Sequence, residues 1–235
     1  MRLRNIKGAR EAVEKHPLCF SHIPGEIPDW ELVFGNSNPV RLEIGMGKGR
    51  FIIEMAYRHP EINFLGMEKY YSVVYKALKK LDRMKAGGTK PPENLRFICM
   101  DAGEVEQIFK ANYVDRIYLN FSDPWPKERH KRRRLTSGNY LGLFKKILKK
   151  DGKIEFKTDN EALFRYSLGE FETAGWEFEY VAWDLHSDAI AMADNVMTEY
   201  EEKFSAKGNP VYKATVVSNM AKAAPVSQMV TEAQC

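Results

Sequence analysis

An acid and three alternating glycines, Glu43-Ile-Gly45-Met-Gly47-Lys-Gly49, follow the apolar run that begins at Val40. Glycines at such a junction let the backbone turn tightly and approach a ligand with no Cβ in the way. The spacing is G-x-G-x-G, which is neither the G-x-G-x-x-G of dinucleotide sites nor a P-loop. Glu43 would repel a pyrophosphate and attract a cofactor carrying an ammonium and a sulfonium, which favours S-adenosylmethionine over NAD or ATP. Two further acids close the next two apolar runs. Glu68 lies roughly twenty residues on, the distance at which an acid takes ribose hydroxyls. Asp101, in Met100-Asp101-Ala102, is placed to accept from an adenine amino group. Taken singly, each acid reads as a helix N-cap or a solvated strand end. Three at successive strand ends beside a glycine loop read as a nucleoside-cofactor site.

A second set of residues suits an acceptor. In Ser122-Asp123-Pro124-Trp125-Pro126 two prolines hold the chain extended and fix a carboxylate and an indole. An aromatic ring stacks on a purine, and a carboxylate accepts its N–H donors. Immediately after come Lys127, Arg129, His130, Lys131, Arg132, Arg133 and Arg134, diluted only by Glu128. A charge run is usually a solvated face. This one abuts the loop, where the phosphate backbone would run if a base were inserted, and so points to RNA or DNA. Asp159, in Phe156-Lys157-Thr158-Asp159-Asn160, reads by itself as a helix N-cap. The segment Thr198-Glu199-Tyr200-Glu201 reads by composition as the start of an amphipathic helix.

The elements that must position these groups alternate. Strands are expected near residues 40–44, 63–68, 95–100, 116–121, 153–157, 177–182 and 211–217, with helices near 49–57, 70–85, 102–109, 137–149 and 161–174. In the second helix Val73, Val74, Ala77, Leu78 and Leu81 share one face, opposite Lys79, Lys80 and Arg83. Strands alternating with helices predict a doubly wound α/β domain with a mostly parallel, seven-stranded sheet, its last two strands forming an antiparallel edge. Residues 1–38 show no clear strand and are expected to pack across the domain as an N-terminal extension. Residues 39–220 form the domain itself, and the small, polar stretch 221–235 is expected to be a disordered tail. Gly87-Gly88-Thr-Lys-Pro91-Pro92 is expected to be a surface loop.

The chain of 235 residues carries a net charge of +4, so the basic patch is local and favours a specific polyanion contact over general stickiness. No apolar run of about eighteen residues is present, so no membrane span is expected. Cys19, Cys99 and Cys235 lack metal-ligand spacing, which fits a reduced cytoplasm and no metal. Cys99, in an apolar run, reads as a small buried hydrophobe.

In this order, the motifs from Glu43 to Gly49, Gly66-Met-Glu68, Asp101-Ala102, Asp123 to Lys127, Arg129 to Arg134, Lys157-Thr-Asp159 and Thr198 to Glu201, with the opening Met1-Arg-Leu-Arg-Asn5, resemble the bacterial tRNA (guanine-N7)-methyltransferases. The resemblance spans residues 1–217. It implies a Rossmann-like class I methyltransferase fold and methyl transfer from S-adenosylmethionine to N7 of a guanine in the tRNA variable loop. It also implies cofactor contacts from Glu43, Gly45, Gly47, Glu68, Asp101, Ala102 and Asp123. Substrate contacts would come from Lys127, Asp159, Thr198, Glu199, Tyr200 and Glu201, and RNA backbone contacts from Arg129, His130, Lys131, Arg132, Arg133 and Arg134. Relatives of this kind are monomers or homodimers. Pro126 stands where some members carry a histidine, so that position receives no role.

Guanine N7 has an exposed lone pair, so attack on a sulfonium methyl needs no prior deprotonation. Such a site needs in-line alignment and carboxylates near the cationic product, a role that suits Asp123 and Asp159, and requires no metal or protein nucleophile. Two other readings compete. An exocyclic-amine methyltransferase for RNA or DNA is suggested by Asp123-Pro-Trp, and the position of the methyl on the product separates it. A tRNA-binding protein that keeps the fold without catalysis would bind RNA without any cofactor-dependent change, which the intact set of acids argues against. A dehydrogenase is disfavoured by Glu43 and the glycine spacing.

Overall fold

The computed structural model describes residues 5–21, 25–193, 195–205 and 208–218. The chain divides into two compact units, residues 1–110 and 111–235.

The first unit runs α1 (Ala9–Glu14), β1 (Cys19–Phe20), α2 (Trp30–Phe34), β2 (Val40–Ile44), α3 (Arg50–Arg58), β3 (Asn63–Met67), α4 (Tyr71–Ala86) and β4 (Leu95–Ile98). Its strands are all parallel: β2 pairs with β3, β3 with β4, and β4 with β1. Every residue of β3 is buried, as a strand covered on both faces requires. The apolar stripe of α4 is buried as its spacing predicts. Trp30 of α2 anchors the N-terminal stretch, its indole N–H donating to the Ile108 carbonyl at 2.8 Å. Gly66 is required by close approach. A Cβ there would lie 2.5 Å from Met46 Sδ and 3.1 Å from the Phe97 ring, so β3 leaves room for the glycine turn against it.

The second unit runs β5 (Val114–Asn120), α5 (Gly138–Ile147), β6 (Leu148–Thr158), α6 (Glu161–Thr173), β7 (Glu177–Ala182), α7 (Ala189–Ala193), α8 (Glu199–Ser205) and β8 (Tyr212–Val217). β5 and β6 are parallel, while β8 runs antiparallel to both β6 and β7. This is the antiparallel edge expected for the last two strands. Phe156, Phe164, Phe171 and Trp176 fill the core of this unit.

The sequence reading needs four corrections. The described residues contain eight strands, not seven, because the N-terminal stretch supplies β1. Two residues are too few to show a period, and β1 is defined by its pairing: Phe97 N–H donates to Leu18 O at 2.7 Å and Cys99 N–H to Phe20 O at 2.8 Å. The expected helix at 102–109 is a single 3₁₀ stretch, Ala102–Gln107. β6 begins at Leu148, five residues early, because its register with β5 breaks between Val114 and Arg116. The basic run, read only as a charged patch, forms a 3₁₀ helix over Glu128–Arg133. The tail at 221–235 lies outside the described residues. Among the described residues no helix is long and apolar enough to cross a membrane.

Candidate active site

In the first unit the parallel register aligns Ile44 with Met67 and Met67 with Ile98, which sets the ends of three strands side by side. The chain then turns through Gly45, Gly47 and Gly49, all at positive φ (77°, 57° and 73°), a conformation that only glycine adopts without strain. Gly45 N–H and Met46 N–H both donate to Met67 O, at 2.8 and 3.0 Å, so the turn is pinned to the end of β3. Around Gly45 and Gly47 the space a Cβ would enter is open for 4 Å. A ligand can therefore lie directly against this backbone.

The three acids occupy this edge in different ways. Glu43, in β2, is 2% exposed. Glu68 is half-buried and accepts from Tyr70 N–H at 3.1 Å, with the Lys69 and Gly47 N–H groups also facing its carboxylate. Burial still pushes its pKa above the ordinary carboxyl value. Asp101 closes a capping box: Oδ1 accepts from Gly103 N–H at 2.9 Å, and Glu104 Oε2 accepts from Asp101 N–H at 3.1 Å. Its Oδ2 lies 3.8 Å from Lys69 Nζ. Both readings of Asp101 are thus compatible, since capping engages one oxygen and leaves the other facing the strand edge. Ala102 is buried directly behind it. Cys99, beneath this edge, is a buried thiol whose pKa is pushed up to about 12 by burial, as an inert core residue requires.

In the second unit three segments far apart in sequence converge. Phe121 N–H donates to Lys157 O at 2.8 Å, joining the loop after β5 to the end of β6. The Tyr200 hydroxyl donates to Asp159 Oδ2 at 2.9 Å, and the Tyr200 ring lies 5.1 Å from Phe121 and stacks on Phe204 at 4.0 Å. Burial and the neighbouring carboxylate push the Tyr200 pKa up to about 12, so the hydroxyl keeps its proton at neutral pH. Thr198 Oγ1 accepts from Glu201 N–H at 2.9 Å and starts α8.

The loop itself is strained. Phe121 (φ 51°) and Trp125 (φ 41°) both take positive φ without being glycine. Such residues cost about 1–3 kcal/mol each and persist where surrounding contacts over-determine them. At Phe121 those contacts are its bond to Lys157 O and the Tyr200 ring, and at Trp125 they come from Arg134, whose guanidinium donates to Pro124 O at 2.9 Å and Trp125 O at 3.2 Å while lying 4.2 Å from the Tyr166 ring. Between the two strained residues Asp123 is exposed, and among the described residues no hydrogen bond or ion pair engages its carboxylate. Glu199 begins α8, in whose first turn it lies.

Some residues sit differently from their expected roles. The Trp125 indole meets His130 edge-on at 5.7 Å and Arg133 at 5.0 Å, so it anchors the basic 3₁₀ helix to the loop. Arg134 braces the loop carbonyls. Lys131 pairs with Glu128 at 2.6 Å, while Lys127, Arg129, Arg132 and Arg133 are exposed. Glu201 turns inward: it is 0% exposed and accepts from Lys157 at 2.8 Å, Asn195 at 2.8 Å and His186 at 3.2 Å. Sequence reasoning missed Lys157, His186 and Asn195 as site residues. Only Lys157 carried a signal, a lysine inside a strand otherwise patterned for burial.

Comparison with known proteins places this arrangement. Residues 37–214 match a family model described as "Putative methyltransferase". The tRNA (guanine-N(7)-)-methyltransferase of Lachnoclostridium phytofermentans is 46% identical over 91% of this chain and 96% of its own length. The enzyme of that name from Lysinibacillus sphaericus is 46% identical over 91% and 96%. A solved antibiotic-related methyltransferase covers 83% of this chain and 96% of its own with TM-score 0.58 at 18% identity, a likeness of fold. That likeness supports the doubly wound, mostly parallel α/β class. Aligned with such relatives along nine-tenths of its length, and with the family model from just before β2 into β8, the chain belongs to the tRNA (guanine-N(7)-)-methyltransferase family.

Proposed function

We infer that the chain transfers the methyl group of S-adenosylmethionine to N7 of a guanine in the tRNA variable loop. The observation that carries this reading is the Phe121–Trp125 loop of a family member, strained at both ends, braced by Arg134 and presenting an unengaged Asp123 carboxylate. Strain maintained in this way is characteristic of residues held for ligand contact.

The first unit fits the cofactor on its own geometry. Open space over Gly45 and Gly47 suits a ligand laid against the backbone, and the acids at the strand ends suit hydroxyl, amino and cationic groups. Glu43, Glu68, Asp101 and Ala102 would hold it. When bound, S-adenosylmethionine supplies an electrophilic methyl on a sulfonium. Asp159, one of whose oxygens is held by the Tyr200 hydroxyl, offers the other to the N–H donors of a guanine edge, and Lys127, Thr198 and Glu199 complete the contacts to the nucleoside. Glu201 supports this surface from behind. The exposed Arg129, Arg132 and Arg133 would neutralise phosphates and set register without reading bases.

Incubation with unmodified tRNA and methyl-labelled S-adenosylmethionine, followed by digestion, tests the reading: label belongs in 7-methylguanosine. Label in an exocyclic amine would sink it. The basic segment separates into two roles on the same assay. Arg132→Ala is expected to weaken tRNA binding and lower the slope of log affinity against log salt by about 0.7–0.9, the share of one phosphate contact. Arg134→Ala is expected to lower kcat with that slope unchanged, because its guanidinium is spent on two loop carbonyls. Equal salt slopes for the two variants would refute the division.

A further inference from the structure

We propose that Lys157 is a positioning residue for methyl transfer: its buried ion pair with Glu201 locks α8 onto the end of β6, so that Tyr200 stays on Asp159. This inference rests on the function proposed above and adds to it a residue two positions before Asp159 whose role is indirect.

The Lys157 side chain is 4% exposed and that of Glu201 0%, and the two meet at 2.8 Å. Lys157 Nζ also donates to Asn195 Oδ1 at 3.0 Å and Val196 O at 3.1 Å, three acceptors for an ammonium with three donors. The other Glu201 oxygen accepts from Asn195 Nδ2 at 2.8 Å and His186 at 3.2 Å. Every strong partner is thus satisfied inside the unit, the condition under which a buried ion pair is tolerated. Its position gives the pair a purpose beyond tolerance. Lys157 lies in β6, Asp159 directly follows that strand, and Glu201 follows Tyr200 in α8, so the pair and the Tyr200–Asp159 hydrogen bond both tie α8 to the end of β6. An apolar pair would fill the same volume at no desolvation cost, yet would not fix the azimuth of a seven-residue helix. Tyr200, packed on Phe121 and Phe204, is still 41% exposed, so its own packing leaves much of it uncovered.

The test uses the full chain with Lys157→Met and, as a milder lesion, Asn195→Leu, which removes the amide that touches both charges. Tyrosines carrying ¹³C at Cζ are titrated by NMR, the Tyr200 signal being identified by its loss in Tyr200→Phe. In the unaltered chain burial and the Asp159 carboxylate push the Tyr200 pKa up to about 12. In both variants it is expected to move down toward the ordinary value as the Asp159 contribution is lost, with kcat for tRNA lowered roughly ten- to a hundredfold and the S-adenosylmethionine Kd unchanged. A folded Lys157→Met protein with an unshifted Tyr200 and kcat within about twofold of the unaltered chain would overturn the proposal. If Lys157→Met does not fold, Asn195→Leu carries the same two arms. An unaltered chain that forms no 7-methylguanosine would sink the function reading, while the Tyr200 titration would still decide whether the clamp exists.

Discussion

Asp123→Ala is expected to lower methyl transfer to tRNA by about 10³-fold, the scale on which removing one preorganised electrostatic group from an active site acts. The carboxylate is exposed and, among the described residues, unengaged, so its removal takes none of their contacts away, and surface substitutions of that kind stay within about 0.5 kcal/mol of neutral. Melting temperature and tRNA affinity should therefore be preserved. The strain at Phe121 and Trp125 comes from the backbone and from Arg134, and survives the substitution. The effect should fall on kcat, since the group is asked to align a base and to face the cationic product, both of which matter most in the transition state. Asp123→Asn keeps the size of the side chain and removes the charge. Loss in both variants assigns the effect to charge, whereas loss in alanine alone assigns it to shape. Near-normal methylation by a folded Asp123→Ala protein would remove Asp123 from the mechanism.

The sequence made the skeleton of both halves readable because strong local signals coincide there. Glycine spacing, strand-end acids and the stripe of α4 each follow from local geometry, and the structure places them at one sheet edge in the first unit. The meeting of Asp159 and Tyr200 was legible only through family resemblance, since nothing in the spacing of residues 159 and 200 brings them within hydrogen-bonding range, and the Phe121 ring beside them was not legible at all. Three features escaped for physical reasons. β1 is defined by pairing and not by pattern. Arg134 looks like its basic neighbours in sequence and differs only in facing two carbonyls that a strained turn leaves bare. Glu201 is given a substrate contact only by the family resemblance. Its burial depends on Lys157, His186 and Asn195, which the sequence scatters over nearly forty residues, with Lys157 and Asn195 separated by 38.

Glu68→Ala is expected to weaken S-adenosylmethionine binding roughly thirtyfold, about 2 kcal/mol, the usual worth of a hydrogen bond to a charged group. The backbone N–H groups of Tyr70, Lys69 and Gly47 orient the carboxylate toward the glycine turn, so its deletion also frees the turn it helps to fix. The pH dependence is more diagnostic than the size. Burial raises the folded-state pKa of Glu68 above the ordinary 4.5, so the folded protein holds this proton more tightly than the unfolded chain does. Its contribution to stability is then fully present below the unfolded pKa and lost as pH rises through the folded pKa. Cofactor binding runs the other way, because hydroxyl groups of a ribose donate to the ionised form. Affinity should rise with pH through the same folded pKa. Isothermal titration across pH 4 to 7 should show affinity rising with pH, while the stability of the unaltered chain relative to Glu68→Gln, from thermal melts in the same buffers, should fall with pH. Glu68→Gln should flatten the affinity profile. Binding that keeps its pH dependence in Glu68→Gln would remove Glu68 from the ribose contact.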